Sequence, residues 1–212
     1  MRLRHTDIVI RLMWALLIVA GITALVTANV SLFFVSVATL ALTSVPYLFQ
    51  SWAGVRFPAG FVVAVVFFIV ATVFLGEAGD FYERFWWWDV MLHGGSAVGF
   101  GMMGVILALL LAGSDRIAPT PSLVAFFAFS FAVAVGALWE IFEFAMDQIF
   151  GMNMQKSGLM DTMGDLIVDV IGGAVGALAG FGYLKGRQSG VLSGAIADFI
   201  TQNRHLFGRR DK

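Results

Sequence analysis

The fold of this chain is decided by one apolar run that carries two carboxylates, residues 165–184, DLIVDVIGGAVGALAGFGYL. A run of about 20 apolar residues is the length that crosses a bilayer as an α-helix. A carboxylate near the middle of such a helix costs roughly 2.5–3.5 kcal/mol on insertion scales, so it is retained for a function and is partnered. Asp165 and Asp169 therefore indicate a site as well as a membrane span.

The whole composition agrees with a membrane protein that crosses the bilayer several times. Hydrophobic residues make up 59% of the 212, charged residues make up 13%, and the mean hydropathy is +0.88. A net charge of -1 gives no reason to expect nucleic acid as a partner. Because the chain has no cysteine, disulfides and thiolate metal sites are excluded. Any metal must be bound by carboxylate, imidazole, amide or carbonyl groups.

The sequence predicts an all-α polytopic membrane protein with six spans, which form one transmembrane domain over residues 1–184. The first span is too long for the apolar region of a secretory signal, so we expect it to be retained. Residues 185–212 are predicted to be a basic cytoplasmic tail with an amphipathic helix at the membrane interface. The predicted spans are 8–28, 31–49, 57–76, 89–112, 122–147 and 165–184.

Basic residues predict the orientation of these spans. With both termini in the cytoplasm, eleven Lys and Arg residues lie in inner segments, and only Arg84 and Lys156 lie in outer ones. This bias follows the positive-inside rule. It also gathers the acidic residues of the last three spans at one end, the outer end. We therefore predict one polar cavity that opens to the periplasmic or extracellular side.

Helical spacing places these acidic residues in stripes along three helices. Residues three or four positions apart share a helix face. Like charges at such spacings repel, so the stripes are expected to face one another around a cation or hydrogen-bonded water. The stripes are Asp89 with His93, Glu140 with Glu143 and Asp147, and Asp161 with Asp165 and Asp169.

Structural explanations compete with functional ones at several of these positions. Asp89 and Asp161 stand near helix starts, where a carboxylate caps free N–H groups and complements the helix dipole. Asp147 stands near an interface and is explained by hydration alone, and His93 taken alone is explained as a buried, hydrogen-bonded histidine. Helix capping does not explain Glu140, Glu143 and Asp169, which lie deepest.

Two further patterns concern packing. Gly172, Gly176 and Gly180 on the sixth span, with Gly95 and Gly99 on the fourth, predict a close approach of these two helices or an oligomer contact. The segment 77–88, rich in tryptophan, is typical of an aromatic belt at the level of the lipid headgroups.

The acidic motifs resemble those of the YjdF-type family of bacterial inner-membrane proteins and, more distantly, the VanZ-like family linked to glycopeptide-antibiotic resistance. The resemblance covers about residues 80 to 180 and implies a protein of the bacterial cytoplasmic membrane, without assigning a reaction. Asp169 stands where the VanZ-like pattern has Asn. The matching motifs are Trp88-Asp89-x-x-x-His93, Glu140-x-x-Glu143 and Asn153-x-Gln155-x-x-Gly158-x-x-Asp161-Thr162-x-x-Asp165-x-x-x-Asp169.

Three functions fit these residues. The first is a divalent-metal enzyme (Zn, Mg or Mn) that acts at the outer leaflet on a lipid or lipid-linked phosphate. The second is a cation- or proton-coupled transporter, because intramembrane carboxylate and histidine chains also relay protons. The third is a metal- or ligand-sensing scaffold that acts through the tail. For the enzyme, the expected ligands are His93, Glu143, Asp165 and Asp169, the catalytic candidates are Glu140 and Asp89, and further candidates are Asp147, Asp161 and Gln155.

Overall fold

A computed structural model describes residues 5–112, 119–187 and 190–207, and these residues form helices and no β-strand. One helix, α3, continues without a break as a π-helix over Val70–Ala78. The helices are α1 (His5–Val26), α2 (Val30–Ala53), α3 (Ala59–Ile69), α4 (Phe81–Arg84), α5 (Trp87–Ala112), α6 (Pro121–Phe150), α7 (Leu159–Leu184), α8 (Val191–Gln202) and α9 (Arg204–Phe207).

Six of the helices in the described ranges are long and apolar enough to cross a membrane, which confirms the predicted fold class. The largest difference in bounds concerns α7, which begins at Leu159 rather than at residue 165. Gly158 immediately before it adopts a φ of +66°, a conformation that favours glycine, and so it marks the true end of the loop. Gly164 lies inside the helix.

The chain divides into two compact units, Met1–Trp88 and Asp89–Lys212. In the first unit, α1 packs against α2, and α3 packs against both. Ile10, Val62 and Val66 form its buried apolar cluster. Trp14 Nε1 on α1 donates a 3.0 Å hydrogen bond to Thr43 Oγ1 on α2, so the indole N–H has an acceptor between these two helices.

In the second unit, α5 and α7 run parallel with their backbones in close contact. A Cβ atom added at Gly172 would lie 2.6 Å from the carbonyl oxygen of Gly94, and one at Gly176 would lie 2.9 Å from the Cα of Gly101. Only glycine allows this approach. The expected close packing of these two helices is therefore present, with the three α7 glycines on the contact face.

The glycines expected to provide the α5 side of that contact do not do so. Added Cβ atoms at Gly95 and Gly99 would meet nothing within 4 Å. The contacting positions of α5 include Gly94, Val98, Gly101 and Val105, which repeat at intervals of three and four residues. They lie about 100° around the helix from the predicted pair, because one residue of offset turns an α-helix by that angle.

The C-terminal helix α8 packs on the same bundle. Ile196 is fully buried in a cluster with Val105, Val124 and Ala177. Ser193 Oγ donates a 2.9 Å hydrogen bond to the carbonyl oxygen of Ala179. The most buried face of α8 thus contacts protein, at the end of the bundle opposite to the acidic residues. The basic residues Arg209, Arg210 and Lys212 lie outside the described residues.

Candidate functional site

His93 lies at the centre of the acidic residues, within the second unit. It stands in the second turn of α5, and its ring is in reach of carboxylates from α5, α6 and α7. Asp89 is partly exposed, and the other groups around the ring are shielded from solvent. The exposed fractions are 8% for His93, 4% for Glu140, 3% for Asp165 and 2% for Asp169.

One ring nitrogen of His93 faces Asp169. Nδ1 lies 3.4 Å from Asp169 Oδ2, a long hydrogen bond between two buried groups. An ionised carboxylate only accepts hydrogen bonds, so with Asp169 ionised the donor in this contact is Nδ1–H. In a neutral ring, Nε2 then keeps its lone pair, which is the form that binds a metal.

The other ring nitrogen, Nε2, faces a different set of carboxylates. It lies 3.8 Å from Asp89 Oδ1 and 3.9 Å from Glu140 Oε1. Asp89, His93 and Asp165 each offer one ligand atom, and these three atoms lie within 4.8 Å of one another. Oxygen and nitrogen ligands of one ion, each at about 2.1 Å, are at most about 4.2 Å apart, so small side-chain adjustments close this set around an ion.

Glu140 is the least satisfied polar group of the site. Both of its carboxylate oxygens are buried and have no hydrogen-bond partner among the described residues. The Thr162 hydroxyl lies near enough to interact with the Glu140 carboxylate but outside hydrogen-bonding geometry. A buried carboxylate without partners is strongly disfavoured, and native proteins supply a proton, a cation or water to such a group. The Glu140 carboxylate therefore calls for a proton, a cation or water that the described residues do not provide.

A residue that the sequence analysis missed shapes this site. Gly136 lies one turn before Glu140 on α6, and a Cβ atom added there would collide with Oδ2 of Asp169. This is the same oxygen that faces the His93 ring. The available signal was the spacing, because Gly136 precedes Glu140 by four residues and so shares its helix face.

Glu143 lies apart from this set. Its Oε1 accepts a 2.9 Å hydrogen bond from Nε1 of Trp139, one turn earlier on α6. Glu143 is half-buried, and its carboxylate is not part of the group formed by Asp89, His93 and Asp165.

The remaining sequence candidates organise the loop between α6 and α7, residues 151–158. Asp147 accepts hydrogen bonds from the backbone N–H groups of Met154, at 2.7 Å, and Gln155, at 2.9 Å. Asp161 accepts one from the backbone N–H of Lys156 at 3.0 Å. The Gln155 side chain donates to the Thr162 hydroxyl at 2.6 Å. These contacts give all three candidates a structural role that needs no ligand.

Comparison with known proteins places the chain in a family. The family model of the predicted membrane proteins designated DUF2238 matches residues 8–186. This range covers the six candidate membrane spans, apart from Asp7 at the start of the first, and every residue of the site. The chain belongs to the DUF2238 family. An uncharacterised protein of Thermotoga maritima is 34% identical over 98 residues, 46% of this chain, and the match spans half the length of that relative. No solved structure matches this DUF2238 protein.

Proposed function

We propose that this DUF2238 protein is a divalent-metal enzyme of the membrane, with a centre built from Asp89, His93 and Asp165 and with Glu140 as proton acceptor. The observation that carries the proposal is the buried Glu140 carboxylate, which has no hydrogen-bond partner in the described chain. It lies beside the one group of three side chains that fits around an ion within the described residues. An acidic cluster alone is common, whereas an unpartnered buried carboxylate facing a ligand set is not.

The ligand set differs from the one expected from spacing. Asp89 takes the place of Glu143, because its carboxylate faces Nε2 of His93 from one turn earlier on α5. Asp169 faces the opposite nitrogen and so leaves the set of direct ligands. One imidazole with two carboxylates suits Zn²⁺ or Mn²⁺, and Mg²⁺ when water completes the shell.

The chemistry follows from the positions of the metal ligands and Glu140. A divalent metal held by Asp89, His93 and Asp165 would supply a Lewis acid that lowers the pKa of water and polarises a phosphoryl or carbonyl oxygen. Glu140 Oε1, which lies 3.9 Å from Nε2 of His93, would serve as the general base that accepts a proton. Hydrolysis or transfer at a phosphate ester is the reaction class that uses both groups.

The position of the site favours a lipid or lipid-linked substrate. Asp89 is the third residue of α5, and Asp165 is the seventh residue of α7, so both lie within about 10 Å of the starts of these spans. Headgroups lie at that depth. With the termini in the cytoplasm, as the basic residues predict, this end faces the outer leaflet of a bacterial cytoplasmic membrane. The resemblance to the YjdF-type family fits membership of DUF2238 loosely and assigns no reaction, and the comparisons do not support the VanZ-like resemblance.

Metal analysis of the purified protein tests the proposal. We expect about one equivalent of Zn²⁺ or Mn²⁺ after chelator-free purification, and loss of binding in Asp165→Asn. Glu143→Gln is the matched control, because it removes a neighbouring carboxylate that lies outside the ligand group. Absence of divalent metal from the wild-type protein, also after titration with Zn²⁺, Mn²⁺ and Mg²⁺, would overturn the proposal.

A proton- or cation-coupled transporter is the second candidate, because carboxylates surround a single imidazole at this site. A relay of this kind needs an onward path across the membrane. Residues 94–112, 121–139 and 170–184 of the three site helices contain no acidic, basic or histidine residue. Proton-driven uptake in proteoliposomes that disappears in Glu140→Gln would favour the transporter over the enzyme.

A further inference from the structure

We propose that Asp169 and Gly136 are positioning residues that hold His93 with its proton on Nδ1 and its Nε2 lone pair directed at the metal ligands. The consequence for metal affinity rests on the proposed function. The orientation and tautomer of the ring do not, so the two can be tested separately.

The first support is the geometry of the ring. Asp169 Oδ2 faces Nδ1 at 3.4 Å, whereas Asp89 and Glu140 face Nε2. The two nitrogens of an imidazole point in diverging directions, so a carboxylate on Nδ1 does not share an ion with ligands on Nε2. Asp169 therefore acts through His93 and not on the ion.

The second support is the burial of both partners. Asp169 is almost fully shielded, as is the His93 ring. Water does not compete for Nδ1 at such a position. The Asp169 carboxylate, at 3.4 Å from Nδ1, is closer to the ring than Asp89 and Glu140 are to Nε2, at 3.8 and 3.9 Å, and this difference favours the proton on Nδ1. Carboxylate–histidine–metal arrangements of this kind fix the tautomer and increase the basicity of the metal-binding nitrogen.

The third support is the space that Gly136 leaves on α6. The Asp169 carboxylate lies directly against this glycine, and any larger residue would occupy the position of Oδ2. Alanine at residue 136 would push the carboxylate away from α6 and change its contact with Nδ1. The helix α6 thus contributes both Glu140 and, one turn earlier, the surface on which Asp169 rests.

Nitrogen-15 NMR of histidine-labelled protein in nanodiscs tests the tautomer directly. The chain has three histidines, so His5→Gln and His205→Gln leave His93 as the only labelled ring. Spectra of metal-free protein, recorded at a pH where the ring is neutral, are expected to show the proton on Nδ1. In Asp169→Asn we expect a mixture or the Nε2–H form, because the amide also donates to Nδ1. Gly136→Ala is expected to shift the population in the same direction.

The controls separate positioning from general packing. Gly99→Ala adds a methyl group in open space, and Gly180→Ala adds one against Val105, about 16 Å along α7 from Asp169. Both are expected to keep the Nδ1–H tautomer, and Gly180→Ala is expected to lower stability only.

Metal affinity gives a second measurement. Asp169→Asn and Gly136→Ala are expected to bind Zn²⁺ about 10–100-fold more weakly than the wild type, the usual effect of removing such a partner.

The outcomes distinguish this proposal from the proposed function. If the wild-type ring carries its proton on Nε2, or if Gly136→Ala behaves as Gly99→Ala does, the positioning role is wrong. If the wild type shows the Nδ1–H tautomer and its loss in Asp169→Asn but binds no metal, the positioning role stands and the metal enzyme does not.

Discussion

Glu140 Oε1 lies 3.9 Å from Nε2 of His93, too far for a hydrogen bond and close enough for a strong electrostatic interaction. Asp89, Asp165 and Asp169 compete for the same ring, so one imidazole, even when protonated, does not balance the carboxylates around it. We therefore expect an ionised Glu140 carboxylate to destabilise the fold when no cation is bound beside it.

We expect Glu140→Gln to stabilise the metal-free protein. The substitution removes a buried charge that has no hydrogen-bond partner among the described residues, and the cost of leaving such a group unsatisfied is about 1–3 kcal/mol. The measurement is thermal unfolding in detergent with chelator present. Glu143→Gln is the control, because Glu143 already accepts a hydrogen bond from Trp139. This variant is expected to leave the melting temperature nearly unchanged or to lower it. A lower melting temperature for Glu140→Gln would show that Glu140 is satisfied within the chain.

Added metal is expected to stabilise the wild-type protein. A ligand that binds only the folded state at 100 times its dissociation constant adds about 2.7 kcal/mol. Melting curves with increasing Zn²⁺ or Mn²⁺ are expected to shift upward for the wild type and Glu143→Gln but not for Asp165→Asn. Equal shifts in all three proteins would mean that the metal binds elsewhere.

The sequence predicted the fold class because membrane spans depend on hydropathy and length, which are local properties. The common end of the acidic stripes on α5, α6 and α7 followed from the number of spans. Gly158, in contrast, ends the loop through a backbone angle, so the start of α7 was placed six residues late.

The structure brings Asp89, His93, Glu140, Asp165 and Asp169 together, whereas Glu143 lies apart and the other three candidates make contacts within the loop between α6 and α7. This division depends on side-chain geometry that spacing does not contain. Helical spacing places Asp89 and Asp169 in the acidic stripes in the same way. In the structure, however, they face opposite nitrogens of the His93 ring. Asp147 and Asp161 follow the same spacing rule and instead bind backbone N–H groups of a loop. Gly136 was missed because its importance lies in the space it leaves for Asp169.

Because α5 packs closely on α7, substitution of Gly172 by a larger residue is expected to lower the stability of the protein strongly. A methyl group there would lie 2.6 Å from the Gly94 carbonyl oxygen and 2.8 Å from the Ala97 side chain. We expect Gly172→Ala to cost about 1–3 kcal/mol, the usual range for overpacking. Gly99→Ala, with open space around it, is expected to be neutral or stabilising. Unfolding of both variants in detergent checks the difference, and equal stability would contradict the described contact face.

The loop between α6 and α7 is expected to depend on Asp147. Asp147→Ala removes the acceptor of two backbone hydrogen bonds, from Met154 and Gln155, and such charge-assisted bonds contribute about 1.5–3 kcal/mol each. Hydrogen exchange at these two amides is expected to accelerate, whereas exchange within residues 165–184 remains slow. The control is Glu143→Ala, one turn earlier on α6, which leaves both loop bonds in place. Unchanged exchange in Asp147→Ala would contradict this role.

The orientation predicted from the basic residues has a direct test, because the chain has no cysteine of its own. Met152→Cys lies in the loop between α6 and α7 at a half-exposed position, and Gln202→Cys lies at the exposed end of α8. A maleimide that does not cross the cytoplasmic membrane is expected to label Met152→Cys in intact cells. Gln202→Cys is expected to react only after lysis. The reverse pattern would place the site of His93 and Glu140 on the cytoplasmic side, and an enzyme at that site would then act on the inner leaflet.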